Sequence, residues 1–213
     1  VNAPPRLHVV TDDEVLARCD FAEQAAEVLE MGGASLALHI RGPKTDGRLL
    51  YDIAAHLGPT AEETGSLLLV NDRVDVAMAT RLRAVQLGRR SLKIEDAWAL
   101  MPWALVGVSC HDDVEVTQAR SSGVTWIVLG NLYETESHPG RTGLGPQRFE
   151  ALVEKAEGVP VLAIGGVTPE LVERSLEAGA WGVAVRSGVW DAESPRAAIS
   201  EYISVLQAKV GKT

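Results

Sequence analysis

Cysteine is nearly absent: Cys19 and Cys110 are the only two in 213 residues. Two thiols make neither a disulfide framework nor a CxxC metal pair. They suit buried or idle side chains in a reducing compartment, so a cytoplasmic location is expected. Positive charge is also scarce, with 20 Lys and Arg against 29 Asp and Glu and a formal net charge of −9. Such a surface repels nucleic acid and acidic membranes, and neither is an expected partner. No apolar run reaches the ~18 residues of a membrane helix, and no leader pattern opens the sequence at Val1. The chain lacks a linker, a low-complexity tract and any repeat strong enough for a solenoid. GxGxxG is missing from the first strand-to-helix turn, which weighs against a dinucleotide fold. An anionic ligand would therefore need backbone amides and a few placed cations.

What is present is a regular alternation of short apolar runs and longer amphipathic stretches. Strands are predicted at 6–11, 35–41, 67–72, 84–88, 104–109 and 125–130, then in Pro160-Val-Leu-Ala-Ile-Gly-Gly and Gly182-Val-Ala-Val. Helices are predicted between them. One runs from Phe21 to Met31 and stops at Gly32-Gly33, and one runs from Leu49 to Leu57 and stops at Gly58. A short one ends at Met78, another spans Ile94 to Met101, and Asp112-Asp113 open one that reaches Ala119. Further helices cover Gln147–Glu157, begin at Thr168-Pro169, and close the chain from Pro195 to Ala208. Fully apolar strands separated by helices imply a parallel sheet covered on both faces. Eight such units favour closure, so the expectation is one domain over 1–213, a (β/α)8 TIM barrel.

In that fold the chemistry sits at the C-terminal ends of the strands. Gly165-Gly166 and its echo Arg186-Ser187-Gly188 end the last two strands, where glycines let backbone amides approach an anion. They are expected to form a phosphate cup, although glycines also serve simply to turn a chain. His39, Arg41 and Lys44 follow the second strand; Arg41 suits a carboxylate or phosphate, while Lys44 suits solvent as well. Asn71 and Asp72 end the third strand, where Asp72 either offers a thin Mg²⁺ site or caps the next helix. Gln86 lies on the fourth strand, Ser109 and His111 end the fifth, and Asn131 and Thr135 follow the sixth. His111 can take and return a proton near neutral pH, or can merely bond at a helix entry. The loop 131–146, with Glu134, Glu136, His138 and Arg141, is long enough for a lid. Trp98, Trp103 and Trp190 fall on the outer ring, where large rings pack against the sheet or form a dimer seam.

These runs, taken in order, resemble the thiamin phosphate synthase / TenI superfamily over nearly the whole chain. They are Leu7-His-Val-Val-Thr-Asp12, Leu38-His-Ile-Arg41, Leu69-Val-Asn-Asp72, Val85-Gln-Leu-Gly88, Gly107-Val-Ser-Cys-His111, Gly130-Asn-Leu-Tyr-Glu-Thr135, Ala163-Ile-Gly-Gly-Val-Thr-Pro169 and Ala180-Trp-Gly-Val-Ala-Val-Arg-Ser-Gly188. The resemblance implies one of two reactions. The synthase joins a pyrimidine diphosphate to a thiazole phosphate and needs Mg²⁺ on two aspartates. Asp72 matches the first, but the second falls on Ser91, and the synthase's loop-six lysine falls on His138. The synthase's His-x-Gly-Gln is Gln86-Leu-Gly-Arg89 here. The TenI-like branch is similar at these positions. Some of its members are thiazole tautomerases, which aromatise a carboxythiazole phosphate without a metal.

For that branch the resemblance implies His111 as general acid/base and phosphate held by Gly165, Gly166, Arg186, Ser187 and Gly188. The expected ligand is a phosphorylated thiazole, with no cofactor unless the synthase reading brings Mg²⁺. A homodimer is also implied, and a non-catalytic thiazole phosphate-binding regulator is a third reading.

Overall fold

The computed structural model describes residues 3–135 and 142–208. Eight parallel strands close in sequence order into one barrel: β1 (Leu7–Val10), β2 (Leu36–Ile40), β3 (Leu67–Asn71), β4 (Ala84–Leu87), β5 (Leu105–Cys110), β6 (Trp126–Gly130), β7 (Val161–Ile164) and β8 (Gly182–Val185). The ring is sealed where β8 pairs with β1, Leu7 opposite Val183. The helices are α1 (Asp13–Leu16), α2 (Phe21–Gly32), α3 (Gly47–Thr64), α4 (Val74–Ala79), α5 (Ile94–Leu100), α6 (Asp113–Ser121), α7 (Gly145–Lys155), α8 (Pro169–Glu177), α9 (Ser187–Trp190) and α10 (Pro195–Ala208). Among the described residues no helix is long and apolar enough to cross a membrane.

Strand alternation divides the core in two. One face joins Val10, Ala37, Leu67, Leu69, Ala84, Trp126, Val128, Leu162 and Ala184 inside the barrel. The other, with Leu7, Val9, Leu36, Leu38, Val106 and Ile127, packs outward beneath the helices. Cys110 belongs to this outer layer, and burial pushes its thiol up to about 12, so it is inert; Cys19 is exposed. The interior set fixes which strand-end residues face the axis: the same parity carries His8, His39, Gln86 and Ser109 inward.

Three departures from the sequence reading have physical causes. α3 does not stop at Gly58 but continues to Thr64, with Pro59 inside it. A mid-helix proline costs roughly 3 kcal/mol because it has no N–H for the preceding turn. Leu57 and Ala61, on either side, are both buried, and burial of such side chains returns a comparable ~2–3 kcal/mol. The helix ends instead at Gly65, whose φ of 76° is left-handed. The short α1 and α9 were unexpected; each follows a strand end and turns the chain over the rim. Trp190 is no seam residue: it is buried, lies against Phe21 (5.5 Å between centroids) and donates to the Val10 carbonyl (3.0 Å). Trp98 is partly buried, whereas Trp103 is 68% exposed.

Candidate active site

Inside the barrel a polar layer crosses an apolar core. Trp126 donates its indole N–H to Gln86 Oε1 (2.8 Å), and Gln86 Nε2 donates to Ser109 Oγ (3.0 Å). Gly107 has no room for a side chain, since a Cβ there would lie 2.0 Å from Trp126 Nε1 and 2.3 Å from Gln86 Oε1. Gln86 is thus a support for Ser109, with both ends of its amide already engaged within the protein. His39 is likewise buried. Its Nε2 lies 2.7 Å from His8 Nδ1 and its Nδ1 3.0 Å from Asn71 Oδ1. Burial lowers its pKa to about 4; a hydrogen bond donated to Asn71 Oδ1, in the assigned orientation of that amide, partly opposes this, and nearby Arg41 adds to the lowering. His39 and Gln86 therefore shape the floor of the site. Asn71, at the top of β3, is only partly buried and faces the rim.

Arg41 follows β2 and its backbone N–H donates to Thr11 Oγ1 (2.8 Å). Among the described residues its guanidinium has no ion-pair partner, which leaves a cation at the rim. Lys44 is exposed, with its backbone N–H tied to Asp13 (2.9 Å).

His111 stands one residue beyond β5, and its side chain is 46% exposed. Its backbone N–H and its ring Nδ1 both meet Glu115 Oε2, at 2.7 and 3.1 Å. Glu115 is placed by the first turn of α6, where Asp112 caps the helix by accepting from the Glu115 N–H (2.9 Å). Burial would raise the Glu115 pKa, but hydrogen bonds from Arg89 (2.6 Å) and His111 outweigh it and hold the carboxyl below its usual range. A carboxylate on Nδ1 fixes the tautomer and leaves Nε2 to exchange a proton. Glu115 was missed in the sequence, although its i+4 spacing from His111 on a capped helix start was the signal available.

Asp72 is neither a helix cap nor an open metal ligand. It has a left-handed φ of 65°. Its Oδ1 accepts from the Gly88 N–H (3.0 Å) and from the Ser91 hydroxyl. A Mg²⁺ ion prefers one or two carboxylates together with substrate phosphates. Here Ser91 supplies a neutral hydroxyl that engages one of the two Asp72 oxygens, and no group of three His, Cys, Asp or Glu suited to a metal occurs among the described residues. The fit to Mg²⁺ is poor.

The two glycine turns differ. Gly165 and Gly166 both have positive φ, 97° and 66°. A Cβ at Gly165 would strike Asn131 Cβ at 2.3 Å, and one at Gly166 would strike the Glu134 carbonyl oxygen at 2.3 Å. Loop six is laid along this turn: Leu132 N–H donates to Ile164 O (2.8 Å) and Tyr133 N–H to Gly165 O (3.0 Å). Asn131 serves the loop itself, donating to Tyr133 O (3.1 Å), and Thr135 lies half-buried beyond it. Gly188 is small for another reason. A Cβ there would lie 2.2 Å from the Tyr202 hydroxyl, which donates to Val167 O (2.9 Å). Ser187 is exposed at the start of α9. Arg186 is not a free phosphate cation: it pairs with Asp12 (2.9 Å) and Asp191 (3.3 Å). Only its buried Nε–H has no acceptor. Glu136, His138 and Arg141 lie outside the described residues. A separate apolar cavity of about 190 Å³ at the opposite end of the barrel, lined by Pro4, Pro5, Ala34 and Leu206, holds no acid–base pair.

The closed parallel barrel, with polar side chains and glycine turns at one rim, defines a single-domain (β/α)8 TIM barrel. A family model described as thiamine monophosphate synthase matches residues 7–189. The chain belongs to that family, the TMP synthase/TenI family. It is 30% identical over 206 residues to the thiamine-phosphate synthase of Pyrococcus furiosus, covering 97% of both chains. It is 32% identical over 210 residues to that of Chlorobium luteolum, covering 97% of this chain and 96% of the relative. The solved thiamine phosphate pyrophosphorylase from Pyrococcus furiosus superposes with a TM-score of 0.82 at 30% identity, covering 95% of this chain and 96% of the other.

Proposed function

We propose that this chain is a thiamin-biosynthesis enzyme that binds a thiazole phosphate at the barrel rim and acts as a metal-independent thiazole tautomerase. The observation that carries this reading is the Glu115–His111 pair, whose ring Nδ1 is held at 3.1 Å while Nε2 has no partner among the described residues. In a carboxythiazole phosphate tautomer the C2 hydrogen is acidic, lying beside a carboxylate and an imine. His111 Nε2 takes that proton, and the electron pair delocalises to the exocyclic carbon. The resulting imidazolium, stabilised by Glu115, returns the proton to that carbon. One proton moves and nothing else is consumed. Arg41 pairs with the carboxylate. Phosphate is held by the amides of Gly165, Gly166, Ser187 and Gly188, and Arg186, paired with Asp12 and Asp191, braces the turn behind them. Asn71, Ser109, Asn131 and Thr135 complete the walls, and Lys44 adds charge at the edge.

The test is conversion of the non-aromatic tautomer, followed by absorbance in the presence of EDTA. Absence of turnover, or full activity in His111→Asn, overturns the reading. A second reading has specific support, because the similar curated relatives are named thiamine-phosphate synthases. It requires Mg²⁺-dependent release of pyrophosphate from a pyrimidine diphosphate in the presence of thiazole phosphate. Detecting that release would reverse the order. A homodimer is part of the proposal, with the exposed Trp103 at its seam, and sedimentation of the full chain checks it.

A further inference from the structure

Three polar groups run in a line from the floor of the barrel to its rim. His8 Nε2 lies 3.1 Å from the Pro5 carbonyl, His8 Nδ1 lies 2.7 Å from His39 Nε2, and His39 Nδ1 lies 3.0 Å from the Asn71 head, at the position assigned to its Oδ1. Both rings are buried, at 0% and 1% exposure. The first link fixes the rest. A carbonyl oxygen only accepts, so His8 must carry its proton on Nε2, and a neutral His8 then offers a bare Nδ1. His39 must donate to it from Nε2, which leaves its own Nδ1 bare. A bare ring nitrogen needs a donor, so Asn71 must turn its NH₂ toward His39. The oxygen and nitrogen of an amide head are told apart by such networks rather than by shape. Keeping the assigned orientation, with Asn71 oxygen against His39, requires a second proton on one of the two rings. That leaves a cation in the core with no carboxylate contacting either ring among the described residues, at a cost of several kcal/mol.

We propose that His8 and His39 form a neutral, one-directional hydrogen-bond chain that turns Asn71 so that its carbonyl oxygen faces the barrel mouth. Turned that way, the oxygen stands at the partly exposed end of β3. It repels a ligand carboxylate or phosphate from the β3 side of the rim, while the unpaired Arg41 attracts one beside it. His8 and His39 are thus positioning residues, acting on ligand orientation through Asn71. Only the choice of probe below rests on the thiazole phosphate reading.

The chain consists of N–H···N bonds, which transmit measurable through-bond couplings between their nitrogens. In the full chain labelled with ¹⁵N at pH 7, His8 and His39 should both show the neutral, Nε2-protonated pattern. Couplings should link His39 Nε2 to His8 Nδ1 and Asn71 Nδ2 to His39 Nδ1. A charged ring, an Nδ1-protonated His39, or the lack of any coupling to Asn71 Nδ2 overturns the proposal. Two variants then separate positioning from filling of space. His8→Gln keeps an acceptor for His39 and a donor for Pro5, whereas His8→Phe keeps the volume alone. Thiazole phosphate should bind His8→Phe about three- to tenfold more weakly, the scale of one misplaced hydrogen bond, and His8→Gln within about twofold of the native chain. Equal loss in both, or in neither, overturns it. If thiazole phosphate fails to bind the native chain, the proposed function falls, and the couplings still decide this inference.

Discussion

His39 and His111 are the same side chain in opposite surroundings. His39 is sealed in the barrel with both ring nitrogens bonded, and burial keeps it neutral. His111 is half in water, with one nitrogen held by Glu115 and the other open. The difference teaches that a histidine left incomplete stays available for proton transfer, whereas a completed one serves architecture. Proximity to the strand ends alone would have put both in the same role.

The comparison predicts a hierarchy of effects. The largest belongs to the open histidine: His111→Asn should lower turnover of the thiazole tautomer by about 10²–10⁴ while leaving the thermal midpoint within a few degrees. A large loss of stability with little loss of rate would invert the two roles. The sealed pair should speak through pH instead. Unfolded, the two imidazoles bind protons below about pH 6.5; folded, His39 does so only near 4, and His8 is also lowered, by burial and by His39. The unfolded state therefore holds more protons between these values, so stability is fully present above about 6.5 and falls as pH drops toward 4. The His39 share is on the order of 3 kcal/mol, readable as urea midpoints at pH 7.5, 6 and 5. His39→Gln should flatten that dependence.

Smaller effects concern how His111 is held. Glu115→Gln keeps the shape but removes the charge facing the imidazolium, and should cost about tenfold in rate, the scale of a charged hydrogen bond. Smallest is Asp112→Ala, which removes the α6 cap and should cost about 1 kcal/mol of stability, read by chemical denaturation. If that variant loses as much rate as Glu115→Gln, the helix start rather than the carboxylate orients the ring.

The barrel itself was legible in the sequence because eight apolar runs alternate with amphipathic ones, and strand parity is a local property. The rim was legible only as a set of positions. Arg41, Asn71, Ser109 and His111 lie at or just past strand ends, as counting along the chain predicts. The distant partners were not legible, because Asn71 meets His39 from 32 residues away and Ser109 meets Gln86 from 23. Gly188 looked like a copy of Gly165-Gly166, yet it is small because Tyr202 arrives from α10, which no nearby residue announces. Arg186 looked like a phosphate ligand until Asp12 and Asp191 were seen to hold it. The end of α3 was misplaced because Gly58-Pro59 is a local stop signal overruled by buried side chains on either side.

Loop six continues the β6–β7 pairing past the barrel, with Leu132 bonded to Ile164 and Tyr133 to Gly165, and with Asn131 seated where only a glycine leaves space. The two segments are therefore one heritable part. An engineer who transplants residues 131–135 onto another scaffold must carry Gly165 and Gly166 with them, and lineages that reshape one are bound to reshape the other.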